Sequence, residues 1–191
     1  MSLHKQAKIL STAQQKALLT HVSGKRHALR NRVIVLLSTK AGLRAKEIAM
    51  VSWPMLTDPE GNLSDSIALQ NIASKGKSGR IIPIHPDLKS ALVALAEAGT
   101  EGQVIRSERR KQTSAAVITN MLAAWYLDLG FEGCSSHSGR RTFITNAARK
   151  VSQVGASLKD VQMLAGHSSL ATTQRYIEGD TDAQKKLVRL I

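Results

Sequence analysis

The apolar run Val33-Ile34-Val35-Leu36-Leu37 stands in the middle of a stretch with helical texture, Ala28 to Ala41. A helix that is apolar on most of its sides has no face to offer to water, so other elements must surround it. The chain is therefore expected to build its core around this one central helix. Gly42 follows where the left-handed residue that closes a helix belongs. A further helix starts near Arg44 and ends before Trp53-Pro54.

Ser11 and Thr12, with Gln14 and Gln15, have the form of a capping box opening a short helix through Leu19. From Asp58 to Ile84 the texture changes. Two β-prone runs, Ile67-Ala68-Leu69 (with Ile72 after it) and Arg80-Ile81-Ile82-Pro83-Ile84, flank the turn-rich stretch Ser74 to Gly79. They predict a small antiparallel hairpin or three-stranded sheet, with Pro83 placing the second run at an edge. The remainder is helical: Pro86 to Ala98, Ser114 to Leu129, His137 to Lys150, Ser157 to Ala165 and Ala171 to Ile177. Ser157 and Asp160 supply another cap signal. With no internal repeat and no low-complexity linker, the fold class is mainly α with a small antiparallel β-sheet or hairpin (α+β), as a single domain over residues 1–191.

Charge narrows the partner. Lys and Arg number 27 against 14 Asp and Glu, a formal net charge of +13, and an excess of this size points to a polyanion. A membrane surface would call for a basic amphipathic segment or a lipidation signal, and neither stands out. No apolar run approaches the roughly 18 residues of a span, and Met1 to Leu10 lacks a signal-peptide core. These features read as a cytoplasmic protein. Cys134 is the single cysteine, so disulfide scaffolds and CxxC zinc sites are excluded. A small buried thiol is its expected state. His4, His21, His27 and His85 lack metal-ligand spacing and are expected at the surface.

Four local patterns bear on chemistry, and each has an ordinary explanation by itself. Arg44, at a helix start after Gly42, could be a salt-bridged surface residue. Lys75 and Lys77 could be solvated turn lysines. His137 and Arg140 stand at i and i+3, so a helix would project both from one face. Gly166 ends a helix, His167 lies in the connection, and Tyr176 falls in the next short helix, where a tyrosine is usually a core-edge residue.

Taken in order, these patterns resemble the tyrosine recombinase, or phage integrase, family. The resemblance rests on Gly42-Leu43-Arg44 followed by Glu47-Ile48, on Lys75-Gly76 ahead of Arg80-Ile81-Ile82-Pro83, on His137 to Thr142, on Ala165-Gly166-His167, and on the step from His167 to Tyr176. It runs from about Ile9 to Tyr176. Gly139 stands where the family commonly has Leu, which is expected to loosen the packing behind Arg140, and Ala165 replaces the usual Leu.

The resemblance implies that the Tyr176 hydroxyl attacks a DNA phosphodiester, giving a 3′-phosphotyrosyl link and a free 5′-hydroxyl. Attack by another strand's 5′-hydroxyl reverses the step. The ester energy is kept in the protein link, so no cofactor, neither ATP nor metal, is called for. A phenol ionises near pH ~10 and needs help at neutrality. Arg44 and Arg140 would clamp the non-bridging oxygens, which planar multi-donor guanidiniums suit. Lys75 would protonate the leaving 5′-oxygen, with Lys77 as the alternative. His137 would act as general base or proton shuttle, and His167 would hydrogen-bond a non-bridging oxygen. Lys77, Arg80, Arg106, Arg109, Arg110, Lys111, Arg141 and Arg175 are candidate DNA contacts, although helical spacing turns Arg141 and Arg175 away from the motif residues.

Family members usually carry a separate N-terminal clamping domain, for which Arg44 comes too early. The expectation is thus a lone catalytic domain, naturally small or excised, that binds double-stranded DNA mainly through phosphates. By resemblance it self-associates on DNA as a tetrameric synapse. The tail, residues 180–191, carries Leu187, Val188, Leu190 and Ile191 and wants a groove, on a neighbouring protomer or in cis. Two other functions compete: a type IB topoisomerase, and a regulator that keeps the fold without catalysis.

Overall fold

The computed structural model describes residues 6–73, 79–107, 112–176 and 188–189. Among these the chain runs α1 (Thr12–Ser23), α2 (Ala28–Lys40), α3 (Ala45–Met50), β1 (Ser66–Leu69), β2 (Arg80–Pro83), α4 (Pro86–Ala96), α5 (Ala115–Asp128), α6 (Ser138–Lys150), α7 (Leu158–Ala165) and α8 (Leu170–Gln174). Short 3-10 turns follow α3 and α6, at Trp53–Met55 and Val151–Val154.

Helix α2 is the centre, as its apolar run demands. Val33 to Leu37 are buried, and α1, α3, α4 and α6 pack around them. The Ser11–Gln14 capping box forms, the Gln14 amide donating to Ser11 Oγ at 3.1 Å and the Ser11 amide to Gln14 Oε1 at 2.9 Å. The helix it opens runs past Leu19 to Ser23, because Leu18 and Val22, one turn apart, both reach the core. Helices α3 and α5 pack on each other, and Ile118, Leu122 and Trp125 extend the core from α5. Cys134 lies half-buried against it.

The sheet has two strands among the described residues, not three. β1 and β2 pair antiparallel, with Ile67 opposite Ile82 and both buried, while Ile81 points out. Ile72 is exposed in the turn after β1 and adds no strand.

Helix α6 carries the His137–Thr142 box and is held on two sides. Ser138, Gly139 and Thr142 face the core, where Thr142 Oγ1 accepts from the Leu10 amide at 2.8 Å. Ile144 and Ala148 face a second, smaller apolar cluster with Val161 and Ala165 of α7. Gly139 does not loosen this arrangement. A Cβ there would lie 2.2 Å from Ser38 Oγ and 2.9 Å from Ser38 Cβ, so the missing side chain lets α6 approach α2 closely. The expected slack behind Arg140 is a tight helix contact instead.

Candidate active site

Gly42 turns the chain at the end of α2 with φ +64°, a left-handed conformation that suits glycine. A Cβ there would also strike the Phe143 ring, 2.4 Å from Cδ1. This turn aims the Gly42 carbonyl at α6, where it accepts from Arg140 Nη1 at 2.6 Å. Arg140 Nη2 donates to the Ala165 carbonyl at 2.6 Å and to His167 Nε2 at 3.1 Å. The guanidinium is thus strung between the ends of α2 and α7. Burial, and then the charge of Arg44, push its pKa down to about 10, which still leaves it cationic near neutrality.

His167 follows Gly166, the left-handed residue that ends α7 with φ +62°. Its Nδ1 pairs with Thr173 Oγ1 at 3.0 Å, and its carbonyl accepts from Gln162 Nε2 at 2.9 Å. Burial first, then the charges of Arg140, Arg44 and Arg80, lower its pKa to about 4, so the ring is neutral at pH 7. Neutral, accepting at Nε2 and donating at Nδ1, it has no donor left for a phosphate oxygen in this arrangement. The Tyr176 ring stacks on it, with centroids 5.4 Å apart and planes at 23°. Tyr176 lies just beyond α8, past the capping residue Arg175, rather than within a helix. Thr145 Oγ1 donates to its carbonyl at 3.2 Å.

Arg44 caps α3 and is tied to Glu47, its Nη1 donating to Oε1 at 2.9 Å and its amide to Oε2 at 2.8 Å. Glu47 is wholly buried. Burial opposes its ionisation, but the Arg80 and Arg44 contacts outweigh that and hold its carboxyl below the usual range. In the sequence Glu47 stands in the Arg44 box with no task of its own. Its signal was a lone acid, three residues after an arginine at a helix start, leading into the apolar Ile48-Ala49.

These side chains converge on a cavity of about 490 Å³ lined by Arg44, His137, Arg140, Arg141, His167, Arg175 and Tyr176, with Gln6, Ala7 and Thr172. No carboxylate lines it among the described residues. Four guanidiniums beside a tyrosine hydroxyl suit a phosphate diester and a nucleophile aimed at it. Arg141 and Arg175 thus face the same cavity as Arg44 and Arg140, contrary to their predicted orientation. Gln6 and Ala7 come from the segment ahead of α1, and Gln6 Oε1 accepts from Arg141 Nη1. His137 caps α6 and is exposed.

Other candidate residues lie apart. Arg80 is taken up inside the protein: its side chain is 6% exposed and pairs with Glu47, which leaves it little to give a DNA phosphate. Arg106 stands by Arg30, whose Nη1 donates to its carbonyl at 3.2 Å, and it does not line the cavity. Lys75, Lys77, Arg109, Arg110 and Lys111 fall outside the described residues.

Comparison with known proteins gives consistent matches. The model of the phage integrase family matches residues 8–182. Tyrosine recombinase XerC of Brucella melitensis is 30% identical over 160 residues, which cover 81% of this chain and 48% of that protein. The crystal structure of XerA recombinase superposes with a TM-score of 0.76 at 21% identity, covering 100% of this chain and 65% of that one. The Tn1549 transposon integrase, in complex with transposon right end DNA, gives a TM-score of 0.73 at 19% identity, covering 95% and 65%. The chain therefore spans about half the length of the curated relatives it matches.

Proposed function

Because the chain belongs to the phage integrase family, we propose that it is a site-specific DNA recombinase that cuts and rejoins double-stranded DNA through a covalent link to Tyr176. The shared cavity carries this reading: Tyr176, Arg44, Arg140, His137 and His167, drawn from four separate segments of the chain, all line it.

In the proposed step Tyr176 Oη attacks phosphorus, forming the O–P bond while the bond from phosphorus to the 5′-oxygen breaks. His137 takes the phenolic proton, and Lys75 gives one to the departing 5′-oxygen. One phosphoester replaces another, so the step is reversible by a 5′-hydroxyl of a second strand. Arg44 and Arg140 neutralise the charge that gathers on the non-bridging oxygens. The three bonds of Arg140 leave two of a guanidinium's five donors for that purpose. His167 orients Arg140, and its Nε2 would donate to a phosphate oxygen only after releasing Arg140 and taking a proton at that nitrogen, by a tautomer shift or by protonation. Arg141 and Arg175, on the same wall, add contacts to the DNA backbone.

The proposal extends to integration, excision or inversion of mobile DNA in the bacterial cytoplasm, at the nucleoid. It includes protomers that assemble on DNA, with the tail of residues 180–191 docking one on another. Incubation with a nicked suicide DNA taken from the flanks of its own element tests the chemistry. A covalent adduct with wild type and none with Tyr176→Phe is expected. No adduct from wild type on a verified site would favour a DNA-binding regulator, and an adduct surviving Tyr176→Phe would refute the nucleophile. Deleting the residues after Gly179 tests the tail: unchanged self-association would overturn its docking.

A further inference from the structure

We propose that Arg80 is a positioning residue which, through Glu47 and the end of α7, locks Arg44 and His167 into one rigid phosphate clamp. The proposal rests on the recombinase reading above and replaces the expectation that Arg80 touches DNA.

Arg80 opens β2, yet its guanidinium joins three elements. Nη1 and Nη2 donate to the two oxygens of Glu47, each at 3.0 Å, and Nε donates to the Leu164 carbonyl at 2.8 Å. Glu47 Oε1 also takes Arg44 Nη1, so Arg80 and Arg44 share one buried carboxylate. Without Arg80, that carboxylate keeps the Arg44 amide and Nη1, both from its own helix start, and loses the fork that ties it and Arg44 to β2 and the end of α7. The planar fork is what spans both carboxylate oxygens, and an ammonium has no equivalent.

The second connection reaches His167. The last carbonyls of a helix lack partners within it. At the end of α7 two neighbouring carbonyls are taken by two arginines, Leu164 by Arg80 and Ala165 by Arg140. Positive charge is favourable at that end of a helix dipole. Arg80 also lies flat against the next turn: a Cβ on Gly166 would meet its Nη1 at 2.9 Å and its Cδ at 3.1 Å. His167 follows directly. The residue that holds Arg44 from one side therefore sets the Gly166–His167 turn from the other.

Arg80→Met and Arg80→Lys, studied in the full chain, decide the matter. Single-turnover adduct formation on the suicide DNA is measured at saturation, together with the salt dependence of DNA binding. Binding and its salt slope are expected to stay as in wild type, while cleavage at saturation falls on the order of 10²-fold, as for a misplaced catalytic group. Arg80→Lys is not expected to restore it. A substrate with sulfur in place of the bridging 5′-oxygen, which leaves without an acid, should be cut with the same relative defect.

Three results would overturn the proposal. A salt slope reduced by about one, with saturated cleavage unchanged, makes Arg80 a DNA contact. Recovery on the sulfur substrate makes it act through the leaving-group acid. Inorganic phosphate bound to the cavity of Arg80→Met as tightly as to wild type shows that the clamp keeps its shape. The phosphate measurement does not depend on DNA cleavage, so a wild type that binds phosphate without forming an adduct counts against the recombinase reading alone. If Arg80→Met fails to fold, the double variant Glu47→Gln/Arg80→Met removes both buried charges and is read in the same way. Unchanged phosphate affinity there overturns the proposal too.

Discussion

Arg140 donates from Nη2 to Nε2 of His167 across 3.1 Å. A guanidinium has no acceptor, so this bond assigns the lone pair of the ring to Nε2 and its proton to Nδ1, which donates to Thr173 Oγ1 at 3.0 Å. A second proton on the ring would have to displace Arg140. The two residues are therefore coupled: the Arg140–His167 bond exists only while His167 stays neutral, whereas the bonds to the Gly42 and Ala165 carbonyls do not depend on it.

This coupling predicts a pH effect on stability. The folded-state pKa of His167 lies at about 4, below the ~6.5 of a free imidazole. Between those values the unfolded chain binds the extra proton, so the stability contributed by the neutral ring is full above about 6.5 and is lost as pH falls towards 4. The Tm should drop less between pH 7.5 and pH 5 in His167→Gln than in wild type. His85, also lowered by burial and then Lys40, is common to both proteins and cancels. Equal drops would show that His167 does not carry the effect.

Arg140→Lys should abolish most cleavage. Nη1 and Nη2 reach two carbonyls on different segments, Gly42 and Ala165, which the single nitrogen of a lysine cannot bridge in the same way. A loss of about 10²–10³ in adduct formation is expected, the size seen when one preorganised oxyanion donor is removed. Cleavage within tenfold of wild type would mean that charge alone suffices.

Gly139→Ala should destabilise by about 1–3 kcal/mol, the usual cost of overpacking, because its Cβ would press on Ser38. Ser38 Oγ is buried without a hydrogen-bond partner among the described residues. Ser38→Ala alone should therefore be neutral or stabilising, and combined with Gly139→Ala it should recover part of the loss. Urea unfolding of the four proteins measures this, and additivity of the two changes would refute the contact.

Glu47→Gln should cost about 3–5 kcal/mol in denaturant unfolding, as for a buried ion pair that loses one partner. Arg44 and Arg80 would then face each other without the carboxylate between them. A loss under about 1 kcal/mol would place the pair among surface-like bridges.

Much of the fold was legible because its signals are local. The apolar run of α2, the left-handed Gly42 and Gly166, and the Ser11 and Ser157 capping boxes each act within a few residues, and the structure has them all. The mainly helical class with a small antiparallel sheet followed from the same kind of signal. The order of boxes also singled out Arg44, His137, Arg140, His167 and Tyr176, which line one cavity.

What only the tertiary structure decided depends on contacts between distant segments. Arg80 opens an edge strand and reads as a candidate DNA contact, yet it meets Glu47 and Leu164 across 33 and 84 residues of chain. Gly139 looks like a lost packing residue until α2 arrives against it. Periodicity along one helix turned Arg141 and Arg175 away from the motif residues, but a cavity walled by several segments receives side chains from several directions. The sequence by itself named the residues around Tyr176 because their types and order are local properties. Which of them hold one another in place was settled by packing, since a hydrogen bond's partner is chosen by distance in space and not by distance along the chain.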